Sequence, residues 1–148
     1  MLQIQQLRPI YKKYHHFFLT FKRDMSIDLA KKEQVIFVVD PLRNLAKLVK
    51  NIIQSLLIFL KERPDLVIAN GGGVVVPFCF FSRIFSKKII FIESFSRVNK
   101  PSLSGKLLSN IVDILIIQWK PLQKFYKKQF TEVVYFDICY CWDTYTRL

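Results

Sequence analysis

Cysteine, histidine, glycine and acidic residues are all scarce in this chain. There are three cysteines, Cys79, Cys139 and Cys141. An odd count argues against a disulfide framework, and the C-x-C spacing of the last two is neither a zinc nor a thioredoxin-like pattern. Cys79 lies in an apolar run and reads as a core thiol in a reducing, cytoplasmic compartment. The two histidines, His15 and His16, stand side by side at a strand start, with no third ligand at metal spacing. No metal site is expected. Of four glycines, three are consecutive: Gly71, Gly72 and Gly73. No Lys-Ser/Thr follows to make a P-loop, and G-x-G-x-x-G is not formed. Residue order gives no Ser-His-Asp or Cys-His arrangement.

Asp and Glu number 11 against 23 Lys and Arg, a net charge of +12. The basic residues are spread along the chain rather than gathered in a tail. That balance suits an anionic partner: phosphate, nucleic acid or an anionic membrane surface. A solvated basic face is the plainer alternative. Long hydrophobic runs are also missing. The longest weakly charged stretch, residues 66–82, contains the three glycines and Pro77, and a span needs ~20 apolar residues. It reads as a buried strand plus a buried helix, with a membrane-dipping segment as the other reading. Residues 1–9 are polar and show no signal peptide. What remains is a chain of 148 residues, 51% hydrophobic, long enough for one domain with a core.

Strand and helix patterns alternate. Residues 16–21 (HFFLTF) read as a short strand. Residues 35–39 (VIFVV) read as a strand buried on both faces. Asp40 as cap and Pro41 at the first helical position then predict a helix. Leu42, Leu45, Leu48, Val49, Ile52, Ile53, Leu56, Leu57 and Leu60 recur along it at helical spacing, with Arg43, Lys47, Lys50, Asn51, Gln54 and Lys61 largely opposite. Pro64 ends it. LVIA (66–69) is a strand, residues 70–73 a turn, and residues 74–85 an apolar helix with Pro77 in its first turns. IIFI (89–92) is a strand, and residues 102–112 a short helix capped by Ser102. ILII (114–117) is a strand, residues 120–128 a basic helix carrying Phe125 and Tyr126, and VVYF (133–136) a last strand.

This alternation predicts an α/β fold with a parallel, doubly wound, Rossmann-like sheet. Ligands in such sheets bind beyond the carboxyl ends of the strands. Those ends carry Asp40, Asn70 with Gly71, Gly72 and Gly73, then Glu93, Ser94, Ser96 and Arg97, then Gln118 and Trp119, and Asp137. The glycine turn lets backbone approach a ligand, and the helix start behind it favours phosphate or another polar oxygen. A tight turn needing positive φ explains it equally well. Glu93 is a candidate base or a ligand of sugar hydroxyls, or else a carboxylate capping nearby backbone or pairing with Arg97. Arg97 and Lys100 suit a phosphate or diphosphate, or else belong to a solvated loop, the plainer reading for Lys100.

Residues 60–119, LKERPDLVIANGGGVVVPFCFFSRIFSKKIIFIESFSRVNKPSLSGKLLSNIVDILIIQW, closely resemble the Alg-fourteen/PssD family. "ERPDLVI" before a glycine turn, "IFIESFSRV", "SLSGKLL" and "DILIIQW" carry the resemblance, in that order. It extends more loosely over residues 7–136, within a single domain of residues 1–136; residues 137–148 look like an atypical tail. The resemblance implies a three-layer α/β/α half-domain, like the N-terminal half of a GT-B glycosyltransferase. It implies an acceptor-side, membrane-associated subunit of a bipartite UDP-sugar glycosyltransferase in exopolysaccharide or capsule biosynthesis. The subunit would not be active alone. An Alg-thirteen/PssE-like partner would bring the UDP-sugar, so no cofactor is expected on this chain. A lipid-diphosphate-linked sugar is the implied acceptor, and the cytoplasmic face of the membrane the implied location. By position, residues 70–73 and 93–97 would line the acceptor cleft, with Gln118 and Trp119 on the same rim.

The family normally opens with a hydrophobic strand and a "GGH" turn, and Met1 falls where that motif should just have ended. A parallel sheet without that central strand, with its neighbours short of ladder partners, is therefore expected. Two other readings stand beside the glycosyltransferase subunit. One is a stand-alone basic α/β binding module, though no nucleic-acid motif is present. The other is a truncated, non-functional remnant.

Overall fold

A computed structural model of the chain describes residues 2–5, 7–41, 44–126 and 132–135. Two single-turn helices, α1 (Leu2–Gln5) and α2 (Arg8–Tyr11), open it. Strand β1 (Phe18–Thr20), helix α3 (Asp24–Ala30) and strand β2 (Val35–Phe37) follow, then helix α4 (Leu45–Glu62). The second part runs β3 (Leu66–Asn70), α5 (Val76–Ile84), β4 (Lys88–Ile92), α6 (Leu103–Leu108), β5 (Ile114–Ile117) and β6 (Glu132–Tyr135). Two 3-10 turns, Gly73–Val75 and Lys120–Phe125, complete it.

All strand pairs are parallel, as the alternation predicts, but they form two sheets rather than one. β1 pairs with β2, and β3-β4-β5-β6 form a four-stranded sheet in chain order. Among the described residues no ladder joins β1 to β3. The link between the parts is made by side chains: the Phe17 ring meets Phe78 edge-on at 6.3 Å.

The core belongs to the four-stranded sheet. Ala69, Ile89, Phe91, Leu115 and Ile117 bury their side chains with Cys79 of α5, Leu108 of α6, Leu122 and Tyr126. Continuous apolar strands fit here because helices cover the sheet. Burial pushes the Cys79 thiol up to about 12, which keeps it protonated and inert. Residues 35–37 are different. Val35 and Ile36 are half-buried and Phe37 is exposed, so the expected strand buried on both faces is not what forms.

Helix α4 departs from expectation twice. It starts at Leu45, because Asn44 caps it by accepting from the Lys47 N–H at 3.2 Å; Asp40 and Pro41 lie in irregular chain before it, where the Asn44 N–H donates to the Pro41 carbonyl at 2.7 Å. Its rotation is also unexpected. The buried residues are Asn51, Ser55 and Phe59, while Leu45, Val49, Ile52, Ile53, Leu57 and Leu60 face outward. Two polar side chains fix this. Asn51 Nδ2 donates to the Val39 carbonyl at 2.7 Å, and Gln54 Oε1 accepts from the Val39 N–H at 3.0 Å. Phe59 then stacks on Phe85 at 4.9 Å and meets Phe78 edge-on.

The expected basic helix at residues 120–128 is a 3-10 segment, with Leu122 buried and Lys120, Lys124 and Phe125 exposed. Residues 127 and 128, Phe136, Asp137 and the tail 137–148 lie outside the described residues.

Candidate functional site

The carboxyl ends of β3, β4 and β5 form one rim. β3 and β4 run in register to Asn70 opposite Ile92, which places the glycine turn beside the loop after β4. Gly71 and Gly72 have φ of +44° and +81°, values that L side chains rarely adopt, so the turn needs glycine. The Gly71 N–H donates to the Ile92 carbonyl at 3.3 Å. A Cβ on Gly71 would sit 3.4 Å from Ser94 Cβ. Turn and loop therefore lie side by side, as their order in the sheet implies.

Within the loop the side chains divide. Glu93 points inward and is fully buried. Its Oε1 accepts from the Ser94 N–H at 3.0 Å, and its Oε2 from the Ser102 N–H at 3.2 Å and from the Tyr126 hydroxyl. Burial and the Glu93 carboxylate push the Tyr126 phenol well above its ordinary value, so it stays a donor. Ser102 is the N-cap of α6 and accepts from the Gly105 N–H at 2.9 Å. A Cβ on Gly105 would collide with Glu93 Oε2 and the Tyr126 hydroxyl, and would stand 3.0 Å from Ser102 Oγ. Only glycine lets α6 approach this closely. One buried carboxylate thus ties together the end of β4, the start of α6 and the segment after β5. A buried charge is tolerated only with such partners.

The outer side of the loop is open. Ser94 is half-buried and its hydroxyl meets that of exposed Ser96 at 2.9 Å. Arg97 is exposed, with its N–H donating to the Ser94 carbonyl at 2.9 Å to close the turn. Trp119 Nε1 donates to the Phe95 carbonyl at 2.8 Å, and the two rings lie 5.1 Å apart. Gln118 and Asn70 are half-buried at the strand ends.

The structure therefore gathers Asn70, Gly71, Gly72, Gly73, Ser94, Ser96, Arg97, Gln118 and Trp119 on one rim. It sets the Glu93 side chain beneath them rather than among them. Tyr126 and Gly105, which hold Glu93, escaped the sequence reading. The signal for Gly105 was its place in "SLSGKLL", a glycine inside a helix where alanine would propagate better. Among the described residues no group of His, Cys, Asp and Glu could hold a metal ion. His16 instead bonds Glu33 at 3.2 Å and the Tyr14 carbonyl at 2.9 Å.

Parallel strands, crossover helices and a polar rim at the strand ends define a Rossmann-like α/β domain. Its fold is similar to that of MurG from Acinetobacter baumannii, with a TM-score of 0.66 at 16% identity over 89% of this chain and 39% of that one. The chain belongs to the family described as oligosaccharide biosynthesis protein Alg14 like, whose profile matches residues 37–134. It is 40% identical over 90 residues to the UDP-N-acetylglucosamine transferase subunit ALG14 of Candida albicans, covering 57% of this chain and 39% of that one. The human protein of the same name is 40% identical over 74 residues, covering 46% of this chain and 34% of that one. The matched stretch thus spans well under half the length of these relatives.

Proposed function

We propose that this chain is the acceptor-side subunit of a two-part UDP-sugar glycosyltransferase, with N-acetylglucosamine the sugar suggested by its relatives. A separate subunit would bring the UDP-sugar. The supporting observation is the rim: a glycine turn beside a hydroxyl-bearing loop, ending in exposed Arg97, on a fold similar to one half of a GT-B enzyme. In this reading Arg97 grips the diphosphate of a lipid-linked sugar, since guanidinium matches phosphate with paired donors. Lys100, exposed in the next turn, adds charge. Ser94 and Ser96 meet sugar hydroxyls, and the Gly71–Gly73 backbone lets the acceptor come close. Trp119 and Phe95 stiffen the rim. Glu93 acts as a positioning residue that shapes the loop from below; a base must reach its proton, and this carboxylate is enclosed.

Transfer would take place at a membrane surface, where a lipid-linked acceptor resides, and exopolysaccharide or capsule synthesis is the proposed setting. Among the described residues no helix is long and apolar enough to cross a membrane. The test is co-expression with a UDP-sugar-binding subunit, followed by capture and a transfer assay with UDP-N-acetylglucosamine and a lipid-diphosphate-linked acceptor. The expected result is a stable pair that transfers sugar while neither chain does so alone. Failure to pair, with nucleic acid retained on the purified chain at moderate salt, would overturn the proposal.

A further inference from the structure

The turn after β4 has an aromatic ring at its corner. The Arg97 N–H closes it on the Ser94 carbonyl at 2.9 Å, so Phe95 and Ser96 are the two corner residues. Gly, Pro, Asn, Asp and Ser dominate such corners for backbone reasons, and phenylalanine offers none of them. The side chain does not enter the core either. Phe95 is 48% exposed, although it stands two residues after fully buried Glu93. A residue that suits neither the turn nor the core marks a place where function constrains the chain.

The exposed ring is nonetheless held. Trp119, two residues beyond β5, donates from its indole Nε1 to the Phe95 carbonyl at 2.8 Å, and the two rings lie 5.1 Å apart at an angle of 47°. Trp119 itself packs against the core of the four-stranded sheet. From below, Glu93 fixes the root of the turn by accepting from the Ser94 N–H at 3.0 Å. Phe95 is therefore pre-organised, and a ligand that meets it has little left to order.

The neighbours of the ring define the ligand. A pyranose carries C–H bonds on its faces and hydroxyls around its edge. Phe95 offers an apolar surface to the face. Ser94 and Ser96, on either side of it in the chain and with hydroxyls 2.9 Å apart, offer hydrogen-bond partners to the edge. An apolar surface with a few placed polar groups is the composition of a small-molecule site. Arg97, exposed at the close of the turn, stands within ~7 Å of Ser94 by the geometry of such turns. A sugar and the diphosphate on its anomeric carbon are neighbours on that scale.

We infer that Phe95 is the platform on which the sugar of the acceptor stacks, with Trp119 as its backing and Arg97 on the diphosphate. This rests on the proposed acceptor role and adds the subsite for the sugar itself. Binding needs neither donor nor transfer, so failure of the subsite and failure of the transferase reading are separable.

The experiment is calorimetric titration of the chain, alone and paired with the donor subunit. The probes are farnesyl-diphosphate-linked N-acetylglucosamine and farnesyl methyl diphosphate, in which a methyl group replaces the sugar. The two share lipid, diphosphate and charge. The wild type should bind the sugar-bearing probe ~10-fold more tightly. Phe95→Ser should abolish that preference, with affinity for the methyl probe, melting temperature and partner capture unchanged, and Phe95→Tyr should retain it. Four results would overturn the inference. The first is a wild type that binds both probes equally or neither. The second is a Phe95→Ser variant that keeps the preference. The third is a variant that loses both probes alike, since the ring would then only shape the turn. The fourth is loss of partner capture, or of UDP-N-acetylglucosamine binding by the pair, since the donor side would then cover the ring.

Discussion

The α4 and α5 helices pack against each other yet use their apolar residues in opposite ways. Helix α5 buries Cys79 in the core of the four-stranded sheet and Phe78 against Phe17 and Phe59, and leaves Phe80 and Ile84 exposed at its outer side. Helix α4 buries Asn51 and Ser55 and presents its leucines and isoleucines to the outside. The same contrast separates the two sheets. The strands β3 to β5 close around a common core, whereas β1 and β2 stay partly open. Apolar residues at helical spacing therefore mark a face that wants cover, and the neighbouring polar bonds decide whether the protein itself supplies it.

Substitutions can sharpen that contrast. Leu115→Ala, in the closed core, should cost about 4 kcal/mol, read from chemical denaturation, because the sheet cannot collapse around the void. Gly105→Ala should cost about 3 kcal/mol, since its methyl displaces a buried carboxylate from its partners. Partner capture and transfer should fall together with it.

Tyr126→Phe should cost about 1.5 kcal/mol near neutral pH by removing a bond to a buried charge. The sign of its pH dependence follows from the folded phenol titrating above the unfolded value of 10.0. The wild-type advantage is complete below pH 10 and declines as pH rises above it, because only the unfolded phenol ionises there. Parallel denaturation of the two proteins across alkaline pH checks this. Leu57→Ser, on the open face of α4, should change stability by about 0.5 kcal/mol or less. A loss as large as that of Leu115→Ala would break the comparison.

Much of the order of elements was legible in the sequence. Residues 114–117 form β5 with the bounds the apolar run predicts, and Ser102 caps α6 as its position suggests. These are local signals, read within a few residues. The start of α4 misled because Asp40-Pro41 is a valid helix opening, but Asn44 competes and wins. Its rotation was not legible at all: periodicity shows a stripe and says nothing about which neighbour faces it. Of the rim, the residues that follow each strand could be read from topology alone. The inward turn of Glu93 could not, because its hydroxyl partner, Tyr126, is 33 residues away in the chain.

The central claim is that the exposed end of the loop after β4 holds a diphosphate-bearing acceptor. It is tested most directly by the acceptor KM of the reconstituted pair carrying Arg97→Ala. The account predicts a rise of ~10-fold or more in KM for the lipid-diphosphate acceptor, with the UDP-sugar KM and the melting temperature unchanged. An unchanged acceptor KM, or a shift confined to the UDP-sugar, would contradict it.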